Sequence, residues 1–387
     1  MLYRTNTRTA NLLAISKTKL LSRIAIASFI LFALSSTQEV YYNPAIKIIF
    51  DITRGASILI FIAFYAFNYS ISRKMLIVGL FFLIWSIGFK DWFFLDAGCG
   101  FILSILIIRL DKDKIIRSTA WWLILITTLT IVLAKLGLIQ SATFTNTLYS
   151  DVAFSTGSKE SLGFWQPNVV SLLIISCMIS GFYLDDKKLI FTTVLVYLFI
   201  IQETVSRTYI PIPIVIFIYY SAKFFSLHRT AFFTLPILLL GITSMLIAWL
   251  VTVPQALSSF LGPAAITALD QLFSYRISIA RRVIEPLSGI ELMSGIHDKK
   301  IQIDSLFVNY IISQGLVLFF AVSLFVSYIM FDLFKRRKSK ELLIISLYLL
   351  ISNFESTASV SSLVFVIFIA CCSEAKMFSS KKAHGNL

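Results

Sequence analysis

Residues 231–252 read AFFTLPILLLGITSMLIAWLVT, a run without one charged side chain. A helix needs about 20 mostly apolar residues to cross the hydrocarbon core of a bilayer, and this run is long enough. Runs of the same kind recur along the chain. Twelve candidate spans lie at about 20–37, 52–70, 75–89, 92–108, 119–139, 167–184, 189–203, 209–225, 231–252, 305–331, 342–354 and 358–373. The composition agrees, with 58% hydrophobic and 14% charged residues. A soluble domain is about half apolar and a quarter charged, so the expected fold class is an all-α polytopic membrane protein. The 35 Phe and 15 Tyr suit rings that meet lipid and headgroups.

Lys and Arg fix the orientation, because they collect on the cytoplasmic side. With the N-terminus inside and the spans alternating, 23 of the 34 basic residues fall on inner segments and 13 of the 20 acidic ones on the outer side. Lys335, Arg336, Arg337, Lys338 and Lys340 make the densest inner cluster. Both termini are therefore expected in the cytoplasm. The net charge of +14 reads as a topology signal and not as a nucleic-acid surface. The basic N-terminus has no small-residue cleavage site after its apolar run, so the first segment reads as a retained anchor. Cys99, Cys177, Cys371 and Cys372 all lie in apolar runs, which suggests neither disulfides nor a metal site.

The whole chain, 1–387, reads as one integral membrane domain with two long outer loops, about 140–166 and 253–304. Long loops are seldom idle. The larger one contains a helical pattern near 264–284. At 100° per residue, Leu269, Phe273, Ala280, Val283 and Ile284 share an arc, with Arg276 in its middle and Arg281 and Arg282 on its flanks. Arg207 stands at the outer junction of two spans, against the positive-inside trend, with Glu203 four residues before it. Asp304 opens the tenth span, where Asp is a favoured helix N-cap, and His297 precedes it in the loop.

No P-loop, Gly-rich dinucleotide turn, HExxH or Gly-x-Ser-x-Gly occurs. No cofactor is expected. Arg offers a planar fork that matches phosphate oxygens and stays charged at any working pH. Several such groups at the outer headgroup level suit a lipid-linked phosphate or pyrophosphate whose charge develops as it leaves. A nearby carboxylate or histidine suits a proton acceptor for an attacking sugar hydroxyl.

Lys159-Glu160-Ser161-Leu162-Gly163-Phe164-Trp165-Gln166-Pro167-Asn168 resembles the basic-x-Ser-Leu-Gly-Phe-x-x-Pro-Asn stretch of the O-antigen polymerase (Wzy) family. Ser206-Arg207-Thr208 is similar to that family's Ser-Arg at the next outer helix end. Gly295, Asp304-Ser305-Leu306-Phe307 and Gln314-Gly315 resemble its Gly…Asp-x-x-(Leu/Phe)…Gly pattern, and the likeness covers about 155–330. The resemblance implies a metal-independent, GT-C-like glycosyltransferase of the bacterial inner membrane with its active site facing the periplasm. It implies transfer of a growing polysaccharide from undecaprenyl pyrophosphate onto another lipid-linked repeat unit. The expected partners are that lipid-linked oligosaccharide, a chain-length regulator protein and membrane lipids.

Together these readings place Arg276, Asp304 and Arg207 as catalytic, and Arg281, Arg282, Lys159, Asn168, His297 and Glu203 as substrate-binding. Two positions bear on subfamily. The family commonly has Arg where this chain has Lys159, and the related O-antigen ligases tend to carry His where it has Asp304. A flippase or secondary transporter shares the helix number. A major-facilitator protein would have a long inner loop between two halves, whereas the middle inner connection here is only Asp185 to Lys188.

The topology is open to a direct test. Reporter fusions at Lys338 and Ser288 are expected to report cytoplasm and periplasm respectively, and both on one side would overturn the twelve-span arrangement.

Overall fold

The computed structural model describes residues 2–68, 104, 106–108, 110–144, 159–204, 209–252, 262, 264–268, 270, 276–296 and 305–354. The expected spans at 75–89 and 358–373, and most of 92–108, lie outside the described residues. The described residues up to 204 belong to one compact unit and those from 209 onward to a second.

The first unit is built from α1 (Leu2–Ser35), α2 (Gln38–Tyr42), α3 (Pro44–Asn68), α4 (Lys112–Lys135), α5 (Pro167–Tyr183) and α6 (Lys187–Thr204). Its centre is α5, which is apolar on every side; all of its residues except Asn168 are buried. A helix apolar all round must be covered all round, and here α4 and α6 pack against it while α1 joins α3 to α4. Pro167 starts α5 with a ring pre-set for the first helical turn. At the far end Asp186 caps α6 through the Leu189 N–H at 3.2 Å and pairs with Arg117 at 3.0 Å. A two-residue antiparallel ladder, β1 (Thr143–Phe144) with β2 (Lys159–Glu160), lies between α4 and α5 in the chain.

The second unit holds α7 (Pro211–Phe224), a 3₁₀ turn (Leu227–Arg229), α8 (Ala231–Thr252), α9 (Arg276–Ile284), α10 (Gly289–Ser294), α11 (Leu306–Gln314), α12 (Leu316–Lys335) and α13 (Ser339–Phe354). Its axis is the pair α8 and α13. Ser346 Oγ donates to the Ile237 carbonyl at 2.8 Å, and Asn353 Nδ2 donates to the Ser244 carbonyl at 2.9 Å. Both bonds join residues 109 apart in sequence, so the two helices run parallel, with their N-termini at the same end. Interhelical bonds of this kind hold apolar helices together where lipid offers no hydrophobic drive.

Five described helices are long and apolar enough to cross a membrane: Thr18–Ser35, Pro44–Phe67, Lys112–Lys135, Ala231–Trp249 and Leu316–Lys335. Exposed apolar side chains on these and on the shorter helices agree. On α6, Phe191, Leu195, Leu198 and Phe199 form an exposed stripe at helical spacing, and Phe217, Val317 and Phe320 are likewise open. Such a stripe would be a liability in water and is ordinary against lipid. The chain is a helical membrane protein.

One expected span is not a single helix. The run 305–331 is broken at Gly315 into α11 and α12. Gly315 has φ 86° and ψ 159°, and Gly295, which ends α10, has φ 85° and ψ 161°. That region of backbone space is essentially reserved for glycine. The two residues also sit backbone against backbone. A Cβ on Gly295 would lie 2.4 Å from the Ser313 carbonyl oxygen, and one on Gly315 would lie 2.1 Å from that of Met293. The Ile296 N–H donates to the Ile312 carbonyl at 2.7 Å, which ties the end of α10 to the last turn of α11.

Gly315→Ala is expected to destabilise the protein by about 3 kcal/mol. Gly289→Ala, where an added Cβ meets nothing within 4 Å, should leave it nearly unchanged. The thermal unfolding midpoint in detergent reads the difference, and equal midpoints would mean the clasp carries no stability.

Candidate functional site

In the first unit the segment 159–168 is mostly scaffold. The Phe164 N–H donates to the Ser161 carbonyl at 3.0 Å, closing a turn whose central residues, Leu162 and Gly163, have φ of 51° and 86°. Positive φ at both central positions is the type I′ pattern, which favours glycine. Leu162 tolerates it while wholly buried. Glycine is also required at 163 for space, since a Cβ would come within 2.8 Å of Ile139 and 3.0 Å of Thr130. The turn is tied to the end of α1. The Gln38 N–H donates to the Gly163 carbonyl at 2.8 Å, the Trp165 N–H donates to that of Ser36 at 3.2 Å, and Ser161 Oγ donates to Gln38 Oε1 at 3.3 Å. Ser161 and Phe164 are fully buried. Ser, Leu, Gly and Phe are thus explained by folding alone.

What this scaffold presents is polar and aromatic. Lys135 Nζ, at the C-terminal end of α4, lies 2.9 Å from Glu160 of β2 and 3.0 Å from Glu203 in the last turn of α6. One ammonium therefore gathers two carboxylates from separate elements. All three side chains are about a third exposed, and such pairs contribute only about 0.2–1 kcal/mol each. Their use is to place charge, and the cluster keeps a net negative one. Asn168 stands at the start of α5 beside them in sequence order, on the one position of that helix that is not buried. Across the turn, the rings of Tyr41 and Trp165 stack at 4.7 Å, and Lys47 Nζ lies 4.1 Å over the Tyr41 ring. Burial, and then the neighbouring Tyr42, raises the Tyr41 phenol above its ordinary value, so it stays neutral.

In the second unit α9 carries the loop arginines. Ile277, Ala280 and Ile284 are its buried edge, packed with Ile266, Val308 and Ile312, and with Ile247 and Val283 against the cluster. Each buried isoleucine contributes about 1.5–3 kcal/mol, so apolar burial rather than ion pairing seats the helix. Arg281 is half-buried and Arg282 exposed. Ile277, absent from the expected arc, is part of the buried edge. Leu269 and Phe273 lie outside the described residues. Arg276 is the first described residue of α9. The start of α9 is held by Asp270, which is almost fully buried and accepts from the Ser278 N–H at 3.0 Å and from the Ser278 hydroxyl.

The expected cap on α11 changes hands. Its N-cap is Ser305, whose Oγ accepts from the Val308 N–H at 3.3 Å, so Asp304 does not hold that role. Arg207, His297 and Asp304 lie outside the described residues, and of Lys159 and Arg276 only the backbone is described. Of the residues expected from sequence, Asn168 in the first turn of α5 and Glu203 in the last turn of α6 belong to the first unit, and Arg276, Arg281 and Arg282 share one helix in the second. Lys135, Glu160 and Asp270 were not among the sequence-derived candidates. Lys135 carried a usable signal, a lone cation at the end of an apolar run. Asp270 carried none, because only folding brings it to Ser278.

No protein-family model matches this chain, and no curated protein or solved structure matches it.

The reassigned cap separates two roles. Ser305→Ala should cost about 1 kcal/mol of stability. Asp304→Asn should leave the unfolding midpoint unmoved, whatever it does to activity. A midpoint lowered equally by both would return the cap to Asp304.

Proposed function

We propose that this chain is an O-antigen polymerase, a metal-independent GT-C-like glycosyltransferase with twelve spanning helices and both termini in the cytoplasm. It elongates lipid-linked polysaccharide at the periplasmic face of the bacterial inner membrane. The observation that carries this reading is the stretch Lys159–Asn168, whose order resembles that of the Wzy family. The seating of three arginines on α9, held by a buried apolar edge, supports it further.

In this reading a hydroxyl of the acceptor repeat unit attacks the anomeric carbon of the donor glycan. The bond from that carbon to the pyrophosphate oxygen breaks, and undecaprenyl pyrophosphate leaves with the bonding electrons. Arg276 and Arg207 neutralise the charge that develops on the leaving group. Arg281, Arg282 and Lys159 hold phosphate and sugar oxygens. Asp304 takes the hydroxyl proton, an assignment favoured by its release from the capping role. Glu203, Asn168 and His297 orient the sugars, and Lys135 fixes Glu203. The presence of Asp rather than His at 304 favours polymerase over ligase.

The lipopolysaccharide of a strain lacking this protein tests the reading. Caps of a single repeat unit are expected, restored to a ladder by the wild-type gene. Complete loss of O-antigen would indicate a ligase or a flippase instead. In the same strain Arg276→Lys, which keeps charge but loses the fork, should lose most of the ladder at normal membrane levels. Arg276→Ala should be worse, and Arg281→Lys and Arg282→Lys milder. A wild-type ladder from Arg276→Ala would remove this arginine from the chemistry.

A further inference from the structure

The end of the second unit opposite α9 has a composition that the polymerase reading leaves unused. Because α8 and α13 run parallel, the segments that lead into them, Leu227-His228-Arg229-Thr230 and Arg336-Arg337-Lys338, meet at one place. Arg337 Nη1 donates to the Arg229 carbonyl at 3.3 Å, and the Tyr219 and Ser339 hydroxyls lie 3.4 Å apart beneath them. Residues 223–230 and 332–341 contain seven Lys and Arg against two carboxylates. Of those two, Asp332 pairs with Arg336 at 3.1 Å, and Glu341 is buried in the first turn of α13. The positive ends of two helix dipoles add to the same region. His228 registers this field. Burial, then Arg229 and Lys223, lowers its pKa below the ordinary value.

Around this cationic patch the surface is apolar. Phe224, Phe225, Leu227 and Phe232 are exposed, Phe224 and Phe232 almost completely. A soluble anion has no use for four open apolar side chains, whereas a lipid brings acyl chains and a phosphate together. Basic pockets between helices on the cytoplasmic side suit acidic headgroups.

We propose that the Arg229–Arg337 patch is a binding site for an anionic glycerophospholipid of the inner leaflet, with the headgroup phosphate between the two guanidinium groups and the acyl chains along Phe224, Phe225 and Phe232. The site is independent of polymerase activity and serves as an anchor for the α8–α13 pair.

Native mass spectrometry of the full chain in detergent, titrated with phosphatidylglycerol or phosphatidylcholine, tests the proposal. The wild type should retain phosphatidylglycerol about tenfold better than phosphatidylcholine. Arg229→Gln with Arg337→Gln should lose about tenfold in phosphatidylglycerol binding. Arg229→Lys with Arg337→Lys, which keeps the charge, should lose little and guards against a folding artefact. Lys19→Gln with Arg23→Gln, a basic pair of the first unit outside the patch, should change binding less than twofold. Equal retention of the two lipids by the wild type, or equal losses from the two Gln pairs, would overturn the site.

Discussion

A backbone buried away from water must satisfy its N–H and C=O groups within the protein itself, so departures from helix need partners there. Among the described residues two such departures stand out. At Ser161–Trp165 the main chain leaves helix, turns through two residues of positive φ, and is met by the backbone at Ser36 and Gln38. At Gly295 and Gly315 two helix ends abut so closely that neither leaves room for a Cβ, and Ile296 bonds to Ile312 across the contact. Each junction uses glycine where a side chain would collide. Each lies at the root of a segment that the functional reading needs.

The energetics separate what builds the scaffold from what it presents. Burial holds α5 at the middle of its unit and seats α9 on α11, and these contributions exceed anything partly exposed ion pairs supply. Charge is then free for placement. Lys135 holds two carboxylates from separate elements at the C-terminal end of α4. Asp270 spends its charge on the start of α9, fixing the helix that bears Arg276, Arg281 and Arg282.

The two ends of the second unit differ in kind. At one, arginines ride on a short helix over an apolar seat. At the other, cations precede two parallel helices and are flanked by open phenylalanines. The parallel pairing decides this difference, since antiparallel helices would have divided the basic segments between opposite ends.

By itself the sequence determined that the chain is helical and membrane-embedded, because runs such as 231–252 have no stable state in water. It also set an expected orientation, because Lys and Arg are costly to translocate, and it marked 159–168 and the loop arginines for attention. Only the tertiary structure decided that Ser305 and not Asp304 caps α11, that the run 305–331 breaks at Gly315, that Lys135 joins Glu160 to Glu203, and that Asp270 holds α9. Hydropathy and periodicity report how a residue relates to its solvent and its own helix. A cap shared across eight residues, a carboxylate pair from two elements, or a glycine facing another backbone depends on distances that exist only once the chain has folded.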